Sequence, residues 1–532
     1  MSRDRKIIEN QGVPEYATYS DLPDPSNFKG LAFVQDTSTL YKSHGLGYTE
    51  VVATPNTSGR VDTVVIGDSM TANLFAGTTI TAASRVSNVI TATVTGTNFA
   101  AGCKVSVKNC VPASFNVNNA TVLSKSATQI TYASIGPDES ASDLDALAPM
   151  TAYTMAQQRD YFFFWLNGLL KGALRIVNAA GAHGQYTADM LTRFDADVMA
   201  FNTAKLVIIR AGYNDFNRGG LTAEQMLTNI TTMALKAKNA GKIVVIVDCL
   251  PWVTASTDAA RLNAVRYNRL INEYCLNNGI RIARISTVTT NFTNVLAHYP
   301  LANMTVADGI HQSVKSDRLL ATLIYNTLSG IIPSIDILAS SKQDNFTSDP
   351  LSKQLLPNAF WTATGGTVTA PATGTAPSGW TVTRGGSAIV AASAPARSDG
   401  LGYDLQMEVT ATGTSDYGQA VSANITTGFA VGDTLRLSCE LSVSNLSGSN
   451  LKGVLIYIYN NGGPTQYCYA DIPQAALTAE LITDDYTTTV VSSDWIVPTG
   501  VTTLAIYIKT ISLASGTAVT VKVGRMSLEK VA

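Results

Sequence analysis

Three aliphatic runs limit what this chain can fold into: Val61–Ile66 in VDTVVIGDSM, Leu206–Ile209 in KLVIIRAGYND, and Ile243–Val247 in KIVVIVDCL. Each is largely apolar at successive positions rather than at alternate ones, with Asp62 and Thr63 the polar members of the first run; this is the mark of a strand covered on both faces. Helical stretches intervene. Leu221–Gly241 has Thr222 as N-cap and Gly241 as its stop, and ARLNAVRYNRLINEYCLNNG ends at Gly279. LRIVNA and IRIARIS read as further strands, and SVKSDRLLATLIYNTLSG as a closing helix. Such alternation calls for an α/β domain with a parallel sheet between two helical layers.

Open sheets of this kind hold ligands beyond the C-terminal strand ends, so the residues there carry the functional argument. After the first run come Gly67, Asp68 and Ser69, which offer a hydroxyl at the sheet edge. A serine nucleophile needs a base, a group to orient that base, and donors for an oxyanion. The chain has only four histidines: His44, His183, His298 and His311. His311 lies in VADGIHQS, three residues after Asp308, so one turn can aim the carboxylate at the imidazole. Gly212-Tyr213-Asn214-Asp215 ends another strand, and the neutral amide of Asn214 is an oxyanion donor. Gly184, in NAAGAHGQYTADML, allows a bare backbone N–H to approach a ligand closely. Each motif has a second reading: Ser69 as N-cap of a helix near Thr71, Asp308 as a helix cap, Asn214 and Asp215 as turn formers. His183 reads as a loop or substrate-facing residue, and His44 and His298 as surface histidines. No G-x-S-x-G, H-E-x-x-H or Walker A motif is present.

Gly67–Ser69, Gly184, Gly212–Asp215 and Asp308–His311, in that order, resemble the blocks of the SGNH (GDSL-like) hydrolases. The resemblance covers roughly Arg60–Ile332 less one insertion. It implies a flavodoxin-like three-layer domain with Ser69 as nucleophile, His311 as base and Asp308 as its orienter. It also implies an oxyanion hole from Ser69 N–H, Gly184 N–H and the Asn214 side chain. Asp68, His183 and Tyr213 are candidate substrate-binding residues, and no metal or organic cofactor is required.

The remaining chain reads differently. At 532 residues, several domains are expected: an arm over 1–58, the hydrolase domain over 59–332, an insertion over 78–148, a linker over 333–353 and a C-terminal domain over 354–532. In the arm, LAFVQDTSTLYKS predicts a hairpin with Asp36–Ser38 at its tip. ATYSDLPDP and G-x-A-F-V-x-D-T-x-x-L-Y are similar to a small module of phage tail fibres and tailspikes. The insertion, with TGTNFAAGCKVSVKN and TQITYAS, is similar to Ig-like IPT/TIG modules and predicts a small β-sandwich, as a spacer or a substrate-binding element. YFFFWLNGLLKGALRIVNAAG predicts the hydrolase helix and strand that follow it. Beyond Gln354, short strands between Gly/Ser/Asn/Thr turns predict a two-sheet sandwich, similar to jelly-roll carbohydrate-binding modules. Trp380, Tyr403, Tyr417, Tyr457, Tyr459 and Tyr467 could stack on sugar faces there, or serve as core and interface residues.

Charged residues make up 14% and net charge is −2, which argues against a nucleic-acid partner. Six cysteines fit neither a zinc site nor a disulfide framework; Cys103 and Cys110 either pair or stay free, and Cys249 is a core thiol. No run is long and apolar enough to span a membrane, and MSRDRKIIEN is no signal peptide. Together the resemblances imply a virion esterase: a trimeric phage tailspike, joined to other tail proteins through its arm, acting extracellularly. It would remove O-acetyl groups from a bacterial surface polysaccharide, O-antigen or capsule. The rivals are an SGNH lipase or thioesterase, and a receptor-binding fibre that keeps the fold without the chemistry.

Overall fold

The computed structural model describes residues 60–72, 75–94, 99, 101–108, 110, 113–141, 151–157, 161–252, 257–292, 299–306, 308–332, 337–338, 354–356, 358–460, 467–471, 484–512 and 514–531, plus the arm's strands. These fall into two compact units, 1–72 with 173–335, and 73–172 with 336–532.

The first unit is built on a five-stranded, all-parallel sheet. We label its strands β1 (Val61–Gly67), β2 (Leu174–Gly181), β3 (Leu206–Arg210), β4 (Ile243–Val247) and β5 (Arg281–Ala283). They lie in the order β2-β1-β3-β4-β5, the flavodoxin-like doubly wound arrangement, with its switch point between β1 and β3. The strands are joined by α1 (Thr187–Phe194), α2 (Ala223–Asn239) and α3 (Asp258–Asn278), and α4 (Val314–Leu328) closes the unit. Thr222 and Gln225 form the capping box at the start of α2, Thr257 caps α3 and Ser313 caps α4.

The continuous aliphatic runs are explained by what they touch. Val64, Ile66, Val207, Ile209, Val244 and Ile246 share a core with α1, α2 and α3 through Met190, Phe194, Met226, Ile230, Tyr267 and Ile271. The alternate residues Val65, Ile208 and Val245 face the other side and are also fully buried. At the strand mouth, Gly67 has no substitute: a Cβ there would lie 2.2 Å from the Arg210 carbonyl and 2.3 Å from Thr71 Oγ1.

In the arm, Glu15–Tyr16, Leu31–Val34, Thr39–Ser43 and Tyr48–Val52 make a four-stranded sheet. Leu31–Val34 and Thr39–Ser43 pair antiparallel as the sequence predicts, and a third hairpin partner joins at Tyr48–Val52. The tip at 36–38, and nearly all of 333–353, lie outside the described residues.

The second unit takes in both the insertion and the C-terminal region. Within the insertion, Phe75–Val86 pairs with Thr151–Gln157 through its first half and with Val89–Val94 through its second. The sheet thereby closes into a ring around Ile90, Phe99, Val105, Phe115 and Tyr132. Arg85, 1% exposed, clamps the surrounding loops by donating to Pro137 O, Ser114 O and Glu139. The helix Phe162–Leu169, expected beside the hydrolase strands, packs instead on Tyr486–Val491, with Trp165 edge-on to Tyr486 at 5.0 Å. Its residues are apolar nearly all round, so it needs a partner on every side. The C-terminal strands form two sheets, one through Leu504–Ser512 and Leu451–Asn460, the other through Val519–Lys530 and Thr434–Ser444. Ile496 N donates to Gly102 O, and Trp495 Nε1 to Ala101 O, which ties this region to the insertion. Cys103, Cys110, Cys249, Cys275 and Cys439 are buried.

One pH effect arises from the sheet edge. Asp248, just past β4 and 4% exposed, accepts from Ser286 N and Ser286 Oγ, and burial pushes its carboxyl up to about 7. Burial likewise raises Asp215 to about 6. Their folded-state values exceed the unfolded ones, so the folded protein holds protons longer and loses stability as pH rises from about 4 to about 7. Each group contributes a slope of at most about 1.4 kcal/mol per pH unit in its window. Asp248→Asn is expected to flatten this decline, measured as unfolding midpoints at pH 5 and pH 8; an unchanged slope would contradict the assignment.

Candidate active site

Ser69 opens a single helical turn, Ser69–Ala72, immediately beyond β1. Asp68 Oδ1 accepts from Met70 N at 3.0 Å. The turn is therefore capped by Asp68, which leaves the Ser69 hydroxyl available for another role.

His311 Nε2 lies 3.0 Å from Ser69 Oγ, and its Nδ1 lies 2.6 Å from Asp308 Oδ2. Asp308 Oδ1 accepts from the main-chain N–H groups of Ile310 and His311, at 2.8 and 2.9 Å. One carboxylate thus shapes the turn with one oxygen and orients the ring with the other. The cap of α4 is Ser313, so Asp308 is released from that duty. Burial acts to raise the Asp308 carboxyl, but the His311 ring and the two N–H groups outweigh it and hold it below the usual carboxylate range. An ionised Asp308 favours the tautomer with the proton on Nδ1, leaving the Nε2 lone pair for the serine hydroxyl.

Three donors follow the C-terminal ends of the adjacent parallel strands β2, β3 and β1. Gly184 holds φ +70, a conformation costly for any residue with a Cβ. Asn214, 3% exposed, spends one Nδ2 proton on Gln185 O at 3.1 Å and keeps the second. Ser69 N stands at the first position of its turn, where no intrahelical acceptor exists.

The loop carrying Gly184 is fixed from three directions. Arg193 donates to Gly67 O at 3.0 Å and to Gln185 Oε1 at 2.7 Å, so it ties the nucleophile strand to that loop. Asp215 Oδ1 accepts from Thr187 N and Thr187 Oγ1, at 3.0 and 2.5 Å. Asn229 Nδ2 donates to Thr187 Oγ1 at 2.9 Å. Asp215 is thus the strut between the Asn214 turn and the Gly184 loop.

Two candidate substrate contacts are buried. Asp68 is fully buried, because its carboxylate is turned inward to cap the Ser69 turn, so it offers no surface to a ligand. Tyr213 is 6% exposed, its ring edge-on to Trp252 at 5.2 Å and its hydroxyl accepting from Asn217 Nδ2 at 2.8 Å. His183 is half-buried near His311; burial, then the neighbouring imidazole, holds it below the usual histidine range. His44 and His298 lie outside the described residues.

Residues 151–318 match the GDSL-like Lipase/Acylhydrolase family. The chain carries a GDSL-like acylhydrolase domain. The matched stretch includes Gly184, Asn214, Asp308 and His311, while Gly67–Ser69 lie before it, on the far side of the insertion. Similar solved structures include a lipolytic protein of the G-D-S-L family from Desulfitobacterium hafniense DCB-2, at 21% identity over 32% of this chain and 95% of that one, TM-score 0.26. Another is a GDSL-like lipase from Bacteroides thetaiotaomicron VPI-5482, at 25% identity over 28% and 73%, TM-score 0.25. A third is a catalytic mutant of an acetylxylan esterase from Geobacillus stearothermophilus, at 19% identity over 33% and 83%, TM-score 0.27. Among curated proteins none matches the chain.

The acylhydrolase domain also holds site residues that the motifs do not announce. Arg210, 5% exposed, ends β3, donates to Met70 O at 2.8 Å and lies 3.6 Å from Asp317 in α4. It bridges the serine turn to the helix that follows His311. A guanidinium closing an otherwise aliphatic strand, LVIIR, is the signal for it. Arg193 has no such signal, because it lies on a helix of mixed polarity.

Proposed function

We propose that the chain is a serine O-acetylesterase acting on acetylated carbohydrate, in the setting of a phage tailspike that strips acetyl groups from a bacterial surface polysaccharide. The observation that carries the chemistry is the hydrogen-bonded run Ser69–His311–Asp308 beside the donors at Gly184 and Asn214. Ser69 Oγ attacks the acetyl carbonyl while Nε2 of His311 takes its proton. The oxyanion is held by Ser69 N–H, Gly184 N–H and the second Nδ2 proton of Asn214. His311 then returns the proton to the departing sugar oxygen. Water, deprotonated by the same imidazole, attacks the acetyl-serine and releases acetate.

The carbohydrate half of the reading is supported by the C-terminal sandwich. Tyr457 and Tyr507 stack at 5.2 Å, Tyr459 meets Tyr507 at 5.1 Å, and Lys509 lies over the Tyr417 ring at 3.7 Å. Tyr457 keeps only 8% exposure, and Trp380, 4% exposed against Trp361, is a core residue. Tyr403, Tyr417, Tyr459 and Tyr507 are half-exposed and could meet a sugar, while the Tyr467 side chain lies outside the described residues. The phage setting, the attachment role of the arm and a homotrimer rest on the arm's resemblance in sequence.

The test is acetate release from acetylated bacterial polysaccharide beside p-nitrophenyl acetate. Release from both supports the proposal; release from the small ester alone removes the glycan; release from neither removes the esterase. Asn214→Ala is expected to lower kcat on p-nitrophenyl acetate by about 10²–10³-fold, with a much smaller change in KM. Wild-type kcat in that variant would exclude the amide from the oxyanion hole.

A further inference from the structure

A cavity of about 240 Å³ opens beside the acylhydrolase site but not at Ser69; it lies past the ends of β4 and β5, between those strand ends and α3. Adjacent strands are about 4.8 Å apart, so in the order β1-β3-β4-β5 it begins about two strand spacings from the serine strand. Trp252 lines it and also packs edge-on against Tyr213, the neighbour of Asn214, so one ring separates cavity and catalytic turn.

The lining is rich in donors. It holds three guanidinium groups, Arg261, Arg269 and Arg284, against one carboxyl, Asp248. Asp248 is turned onto Ser286 N and Oγ. Arg261 is engaged by Asp258 at 2.6 Å and by Tyr299, with its guanidinium 4.6 Å from that ring. Arg269 and Arg284 are exposed and make no direct ion pair among the described residues, although the charge of Arg284 is felt by the Asp248 carboxyl. Trp252, 1% exposed, has a buried indole N–H with no partner among the described residues. Such an N–H costs free energy unless something accepts from it. Phe292, 57% exposed on the same lining, adds an apolar ring.

Guanidinium forks match the two oxygens of a carboxylate, while an aromatic ring suits a sugar face. We propose that this cavity binds the carboxylate of an acidic sugar, so that the esterase acts on a polysaccharide containing uronate-type residues near the acetylated one. The proposal rests on the glycan-esterase reading above and narrows its substrate class to acidic glycans.

The test compares full-length protein with an R269Q/R284Q variant, titrated with galacturonate and trigalacturonate, with maltotriose as the uncharged control. Wild type should bind trigalacturonate and the variant should bind it at least tenfold more weakly, while maltotriose should not distinguish them. Hydrolysis of p-nitrophenyl acetate should be unchanged in the variant, which shows that it is folded. Equal affinity in the two proteins, or no binding by wild type to either acid, would overturn the subsite. Displacement by equimolar inorganic phosphate would overturn its assignment to a carboxylate. Binding by wild type without acetate release from any acetylated glycan would sink the esterase reading and leave the acidic-sugar site standing.

Discussion

Ser69→Ala is expected to lower kcat for ester hydrolysis by about 10⁴-fold or more, with little change in substrate affinity. The hydroxyl stands at the end of β1, 3.0 Å from Nε2 of His311. His311→Ala should cost a similar factor, because the weakly nucleophilic alcohol then has no base. The decisive arm is S69A/H311A. Residues that act as a unit fail together, so the double variant should be no slower than either single one. Multiplication of the two losses would mean that the residues act independently and that the 3.0 Å contact is incidental.

The second large effect is on stability. Arg210 and Asp317 have side chains 6% and 2% exposed, 3.6 Å apart. Arg210→Met leaves the Asp317 carboxylate buried without its cation and removes the donor to Met70 O. Loss of one partner from a buried pair costs about 3–5 kcal/mol, so the acylhydrolase domain should unfold at markedly lower temperature. Removing both charges as R210M/D317L should restore much of the loss, since a matched apolar pair avoids the desolvation cost. Restored stability without restored kcat would separate the two duties of Arg210, neutralising Asp317 and holding the serine turn. A single variant as stable as wild type would contradict the pairing.

Much of the acylhydrolase domain could be read from sequence because its signals are local. Val64–Ile66, Leu206–Ile209 and Ile243–Val247 are apolar at every position, and only a doubly covered strand needs that. Thr222 and Gly279 mark helix ends by side-chain capping and by backbone freedom, and the helices end beside them. The Asp308–His311 spacing follows from one turn, so its geometry was also written locally. What escaped depends on contacts distant in sequence. Phe162–Leu169 is an aromatic helix whose partner, Tyr486–Val491, lies more than 300 residues away in the chain, and no periodicity reveals that. Arg193 reaches Gly67 O across 126 residues. The cavity at Arg269 and Arg284 joins a helix to a strand end, and neither residue is unusual where it stands in the sequence.

The central claim is that Ser69 is a nucleophile activated by His311. It is tested most directly by treating the full-length protein with a fluorophosphonate and locating the adduct by peptide mass spectrometry. A single adduct on the peptide containing Ser69, formed in wild type and abolished in His311→Ala, is the result the account predicts. An unlabelled protein, a label on another serine, or labelling of Ser69 at an unchanged rate without His311 would contradict it.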